Sequence, residues 1–287
     1  MSLFDQLVEE ALKSQGELAP LRPVVEKELL HHDILRELSQ AGLLRGLTFI
    51  GGTCLRACYG SQRLSEDLDF TGGVDFSKET LSELADLLVE RIHIRYDLPV
   101  RVSDPKKTGG NVSTWKMTVE TRPGKSHLPA QRIHIDICAI PSHDPRPMML
   151  RNLYEVDLGT SGLILQAQSK EEIHADKIIA FAFRENRIKN RDLWDIGWLN
   201  QTGIELPTDL ISKKIGDHHR EPEEFIKRIE SRLGEMRDDP KVREDFVGEM
   251  QRFLPAALQQ TIGSEDYWGY LTQVLVEQCE KAMNALA

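Results

Sequence analysis

No run of about 18 apolar residues occurs in the 287-residue chain, so no membrane-spanning helix is expected. The opening stretch, MSLFDQLVEEALKSQ, carries acids early and lacks an apolar signal core, which points to a cytoplasmic protein. Cysteine is scarce, at four residues, and no CxxC pair or matched His-Cys set is present. Cys54 and Cys58 stand four apart and Cys138 and Cys279 stand alone, so buried thiols are expected rather than a metal or redox site. Positive charge is also short: 36 Lys and Arg face 46 Asp and Glu, a net charge of −10. That balance argues against a protein that coats nucleic acid generally, although a local basic patch can still dominate the nearby field. There is no internal repeat and no low-complexity segment.

What is present suits an ordinary globular α/β (α+β) protein, with a hydrophobic fraction of 40%. Helical spacing predicts helices over 2–14, 23–41, 53–60 and 78–93, the second opening near Pro23 and stopping at Gly42. Short apolar runs predict strands at 47–50, 68–70, 98–102, 111–121 and 132–140, the last three separated by Pro-, Gly- and Lys-containing turns. From about residue 169 the pattern is almost wholly helical. The boundary therefore falls within 145–168, dividing a mixed-sheet domain at 1–160 from a helical bundle at 161–287.

Three pieces of sequence carry chemistry. Gly51-Gly52 closes a strand and opens a helix, a junction where backbone can approach a bulky anion and unpaired amides can meet phosphate oxygens. It is also a common structural turn. Asp67 and Asp69 are two apart in an extended segment, so both carboxylates point one way while Leu68 and Phe70 point to the core. Parallel carboxylates repel unless a cation sits between them, and magnesium prefers such oxygen ligands. A solvated acidic turn is the bland alternative. Asp136 lies in the strand RIHIDICAI, where Ile133, Ile135 and Ile137 share one face and His134, Asp136 and Cys138 the other. An acid within so apolar a strand is costly unless paired or metal-bound. If this strand lies beside that of Asp69, three carboxylates meet, as two magnesium ions need for in-line phosphoryl displacement.

The order Gly-Gly, helix, DxD, then a single Asp in an apolar strand is similar to the polymerase-beta-like nucleotidyltransferases. The longer wording GGTCLRACYGSQRLSEDLDF resembles, more specifically, the AbiEii-type toxins of type IV toxin–antitoxin systems, whose pattern includes Arg56, Tyr59, Arg63 and Ser65. Residues 171–183, EEIHADKIIAFAF, resemble the family's next motif with Lys177 at its basic position, and RDLWDI resembles its third, with Asp192 and Asp195. The resemblance covers roughly residues 45–200. It implies transfer of NMP from an NTP with pyrophosphate release, a growth-inhibiting toxin acting on tRNA, and a cognate antitoxin. The implied metal ligands are Asp67, Asp69 and Asp136, with Mg2+ or Mn2+. The implied nucleotide-binding set is Gly51, Gly52, Thr53, Arg63, Ser65 and Lys177, and Lys177 and Asp192 join the carboxylates in catalysis.

The residues themselves leave alternatives open. Lys177 lies on an apolar stripe between Ile173 and Phe181, with Arg184 close to the same face, so it either snorkels or meets an anion, the NTP or Asp192. Asp192 either stabilises a helix N-terminus or orients Lys177, and Asp195 can pair with Arg191. Arg56 and Arg63 either clamp phosphate or pair with Glu66. Arg101, Lys106, Lys107, Lys116, Arg122, Lys125 and Arg132 form a candidate acceptor surface. His31-His32, Lys213-Lys214 and His218-His219-Arg220 are expected to be solvated, and Trp194 and Trp198 to lie in the core. Two rival functions share the sequence: a small-molecule (antibiotic) adenylyltransferase, and a catalytically silent nucleotide- or partner-binding module.

Overall fold

The computed structural model describes residues 2–106, 110–124, 128–185 and 187–286. Lys107 and Lys125 of the candidate acceptor surface lie outside them. The chain divides into two compact units, Met1–Ala167 and Gln168–Ala287.

The first unit is built on a mixed seven-stranded sheet in the order β3-β4-β5-β2-β1-β7-β6. Its strands are β1 (Thr48–Ile50), β2 (Leu68–Thr71), β3 (Val100–Ser103), β4 (Val112–Val119), β5 (Gln131–Cys138), β6 (Pro145–Met149) and β7 (Ile164–Gln168). Strands β3, β4 and β5 form an antiparallel meander, while β5 runs parallel to β2. Alternation separates the two faces of β5. Ile133, Ile135 and Ile137 are buried, whereas Arg132, His134, Asp136 and Cys138 keep solvent contact.

Among the described residues the α-helices of this unit are α1 (Leu3–Ser14), α2 (Arg22–Gln40), α3 (Gly51–Ala57) and α4 (Leu84–Tyr96). α1 begins where the Ser2 hydroxyl accepts from the Asp5 amide, and α2 begins with Pro23 in its first turn. α2 packs on α4 and on β5. It is buried almost all round, so polar side chains along it must find partners inside. Glu26 meets Arg22 at 3.0 Å and Arg122 at 3.1 Å, and Asp33 meets Arg36 at 2.8 Å and Arg95 at 3.3 Å. His31 and His32 are buried, not solvated, because this helix runs through the core rather than along a surface. Arg122 leaves the candidate acceptor surface for the same reason: Glu26 draws it inward.

The region expected to hold the boundary contains two strands, β6 and β7. Their signal was masked by Pro145 and Pro147 in one, and by short length in both. The helix expected at 78–93 is split into a 3-10 turn at Lys78–Leu81 and α4.

The second unit is helical: α5 (Lys170–Phe183), α6 (Asn190–Gln201), α7 (Thr208–Asp217), α8 (Pro222–Asp238), α9 (Pro240–Met250), α10 (Ala256–Ile262) and α11 (Glu265–Asn284). α5 starts at a capping Ser169 followed by Glu171 and Glu172, which complement the helix dipole. Its core joins Ile178, Leu193, Ile211, Phe225, Phe246 and Leu275. Trp194 is buried there against Tyr267. Lys214, expected in solvent, is buried between Glu172 at 2.8 Å and Asp176 at 2.6 Å. No helix among the described residues is long and apolar enough to cross a membrane.

Candidate active site

Asp69 and Asp136 are register partners on the adjacent parallel strands β2 and β5. On its other side Asp69 faces Ile50 of β1, so the chain turns at Gly51 immediately beside it. Gly51 has φ +76°, and a Cβ there would lie 2.9 Å from Asp69 Oδ2. The glycine thus serves a left-handed turn and a close approach to the carboxylate together. Gly52 is close-packed for another reason: its missing side chain leaves room for the Arg63 guanidinium.

Asp136 Oδ1 is buried and has no hydrogen-bond partner among the described residues. Such an atom is costly unless something polar or cationic meets it. Asp67 sits just ahead of β2. Its Oδ1 accepts from the His134 backbone N–H at 3.0 Å and lies 3.2 Å from the ring Nδ1 of the same residue. Among the described residues no group of three His, Cys, Asp or Glu side chains is arranged to hold a metal ion. Carboxylate oxygens are the donor chemistry that a hard divalent cation such as magnesium accepts. Asp69 and Asp136 supply neighbouring carboxylates, one with an orphaned oxygen, and Asp67 retains a second oxygen besides the one His134 engages.

The segment that leads into Asp67 is held by one side of α2. Glu28 accepts from the Ser65 amide at 2.8 Å and from Arg56 Nε at 3.1 Å, and Tyr154 donates its hydroxyl to the same carboxylate. Lys27 pairs with Glu66 at 2.6 Å, and His31 Nε2 meets the Glu66 carbonyl at 3.0 Å. Burial and the Glu28 carboxylate push the Tyr154 phenol well above its ordinary pKa. Arg56 is therefore a structural ion-pair partner, with Glu28 in place of the Glu66 expected. Thr53 donates to Ser65 Oγ at 2.6 Å and also contacts the Asp67 carbonyl, so both hydroxyls brace the turn from inside. Arg63 is buried and donates to the Leu64 carbonyl at 3.0 Å. Cys54 and Cys58 are buried and form no disulfide among the described residues.

The second unit carries its own charged cluster on α5 and α6. Lys177 Nζ donates to Asp192 Oδ1 at 2.6 Å and lies 2.9 Å from Asp195 Oδ2. Arg184 Nε donates to Asp192 Oδ2 at 2.8 Å. Burial alone would raise the Asp192 carboxyl, but Lys177, Arg184 and Lys189 outweigh it and hold the group well below the usual carboxylate range. Asp192 thus anchors Lys177 rather than capping its helix, whose N-cap position is Lys189.

Sequence reasoning did not single out Glu28, His134 or Lys189. A carboxylate among the apolar positions of 23–41 was the available signal for Glu28. His134 shared the face assigned to Asp136. Nothing local distinguished Lys189.

A mixed sheet with paired acids beside a glycine turn precedes a helical unit in the chain, and the fold is shared with a solved structure. MenT4, a nucleotidyltransferase toxin from Mycobacterium tuberculosis H37Rv, is similar over 99% of this chain and 98% of its own, with 16% identity and a TM-score of 0.53. JHP933 from Helicobacter pylori is similar over 92% of this chain and 96% of its own, with 19% identity and a TM-score of 0.48. No curated protein matches the chain. The family model described as the nucleotidyl transferase AbiEii toxin of type IV toxin–antitoxin systems matches residues 33–272, and the chain belongs to that family.

Proposed function

We propose that this toxin transfers a nucleoside monophosphate from an NTP to the acceptor end of tRNA, releasing pyrophosphate, and that a cognate antitoxin restrains it. The observation that carries the reading is the Asp69–Asp136 pair on neighbouring strands, with Asp136 Oδ1 left without a partner, in a chain of this family.

Asp67, Asp69 and Asp136 would hold Mg2+, with Mn2+ as a substitute. Bound there, the cation supplies Lewis-acid stabilisation of charge on the phosphoryl oxygens. Asp136, or a carboxylate sharing its metal, takes the proton of the attacking hydroxyl, the new bond forms between that oxygen and the α-phosphorus, and the bond to pyrophosphate breaks. Lys177, held by Asp192 and Asp195, offsets charge on the phosphates. Gly51, Gly52, Thr53, Arg63 and Ser65 shape the nucleotide side of the acidic centre, with Thr53 and Ser65 fixing the backbone that carries Asp67.

The acceptor reading is supported by the open face of the sheet. Lys116 pairs in register with His134, and Thr118 with Arg132, on the face that also bears Asp136. Arg101 continues that row opposite Thr118 and pairs with exposed Glu120, an interaction of small net strength. These cations offer counter-charge to a polynucleotide backbone on the face that bears Asp136.

Incubation with each labelled NTP, total tRNA and Mg2+, resolved on a gel, tests the proposal. Label should enter RNA with the wild-type chain and not with Asp69→Ala, whose circular dichroism should match wild type. Label entering an aminoglycoside-type small molecule, or transfer undiminished in Asp69→Ala, would overturn it.

A further inference from the structure

The open face of the first unit's sheet has a direction. Residues that pair across adjacent strands present their side chains on one side, so the register of β4 with β5 lays out an ordered row. It runs from Val112 beside Cys138, through Thr114 beside Asp136 and Lys116 beside His134, to Thr118 beside Arg132. Arg101 of β3 extends the last pair, and Asp69 of β2 flanks Asp136. The opposite side of β4 and β5 carries Trp115, Met117, Ile133, Ile135 and Ile137, all buried. On one side of the carboxylates the row is cationic. On the other stands Val112, an apolar side chain that is 50% exposed, where β4 otherwise shows Thr114, Lys116 and Thr118 on this face. Cys138 beside it donates its thiol to the Phe70 carbonyl at 3.4 Å and so adds a weakly polar sulfur to the valine.

We propose that Val112, with Cys138, is the platform on which the terminal base of an RNA acceptor packs. The inference rests on the transferase reading above and deepens it, by fixing the direction in which the acceptor lies. The last nucleotide of an RNA strand presents three parts in order: the base, the ribose with its free hydroxyl, and the phosphates that lead back into the chain. The row offers a match to each in the same order: an apolar surface, carboxylates, then Lys116, Arg132 and Arg101. Val112 is the diagonal neighbour of Asp136, about 7–8 Å away, which is the span of one nucleoside. A hydroxyl at Asp136 therefore leaves the base over Val112. An unstacked base has an apolar face to shield, and single-stranded RNA is held by packing such faces on side chains. The reversed placement sets phosphates against the valine and away from the cations, so charge and burial both disfavour it. A base paired within a duplex already buries its faces in its own stack, so the platform selects an unpaired end.

Fluorescence anisotropy of the full chain with two short single-stranded RNAs, in EDTA at low salt, tests the platform without any transfer step. Both RNAs carry the dye at the 5′ end and a free 3′ hydroxyl; one ends in an ordinary nucleotide and the other in a ribose lacking its base. Wild type should prefer the first by about threefold to tenfold, the yield of shielding one or two methylene-sized groups. Val112→Thr keeps the shape and strand preference of the residue and should shrink that preference, and Val112→Asp should abolish it, each with circular dichroism unchanged. Lys116→Met should weaken both RNAs alike and lower the salt dependence. Ile94→Asp, which puts the same charge on an exposed residue of α4, should keep the wild-type preference. Equal affinity of wild type for the two RNAs overturns the proposal, as does a loss in Val112→Thr that is the same for both. Wild type that binds neither RNA also overturns it, while label entering tRNA in the transfer assay would leave the transferase reading intact. The expected preference without any transfer of label would support the platform and sink that reading instead.

Discussion

Acidification should destabilise this protein through two buried histidines, and the magnitude follows from their surroundings. Burial, assisted by nearby His31, Arg36 and Arg56, holds the His32 pKa at about 4 against an ordinary 6.5. Burial does the same to His174, also to about 4. In the unfolded chain each ring takes a proton below pH 6.5; in the folded chain it does not until about pH 4. The unfolded state therefore binds more protons across that window, and stability falls as pH falls through it. Between pH 6.5 and 5 the loss is about 2 kcal/mol per histidine, at about 1.36 kcal/mol per unit. His32 lies in the first unit and His174 in the second, so each unit should lose its own share. Urea titrations at pH 7.5 and 5.0, read by pulsed hydrogen exchange on peptides of each unit, separate the two. His32→Gln keeps a polar group towards Thr160, whose hydroxyl meets the His32 ring at 2.9 Å, and should remove about 2 kcal/mol of the first unit's pH dependence. The second unit should keep its own. An unchanged pH dependence of the first unit in His32→Gln would refute the reasoning, since the ring would then titrate as if solvated.

Two further substitutions test the frame around the carboxylates. Gly51→Ala puts a Cβ 2.9 Å from Asp69 Oδ2 and strains a backbone at φ +76°; transfer should fall at least about tenfold while stability drops by only about 1–2 kcal/mol, and normal kinetics would show that this approach does not matter. Glu28→Gln leaves Arg56 buried without its carboxylate, so the first unit should lose about 3–5 kcal/mol in urea unfolding, and a loss under about 1 kcal/mol would mean the pair contributes little.

The helices over 2–14 and 23–41, the strand bearing Asp69 and the meander ending in the Asp136 strand were legible because each carries its own period of apolar residues. The division of β5 into an apolar and a polar face was legible for the same reason, and it picked out Asp136 before any neighbour was known. The family was legible in the wording from Gly51 to Phe70, where residue types recur at fixed spacing around one turn. Only the tertiary structure decided that β2 and β5 are adjacent and parallel, since register between strands 67 residues apart depends on the whole sheet. It alone decided that α2 is buried all round, which withdrew His31, His32, Arg122 and Arg56 from solvent or from phosphate into ion pairs and hydrogen bonds. Partners chosen across long separations leave no local trace: Glu28 and Ser65, Asp67 and His134, and Lys214 and Glu172 each look unremarkable in sequence. Local periodicity reports which face a residue occupies, while the partner it meets there is set by packing between elements.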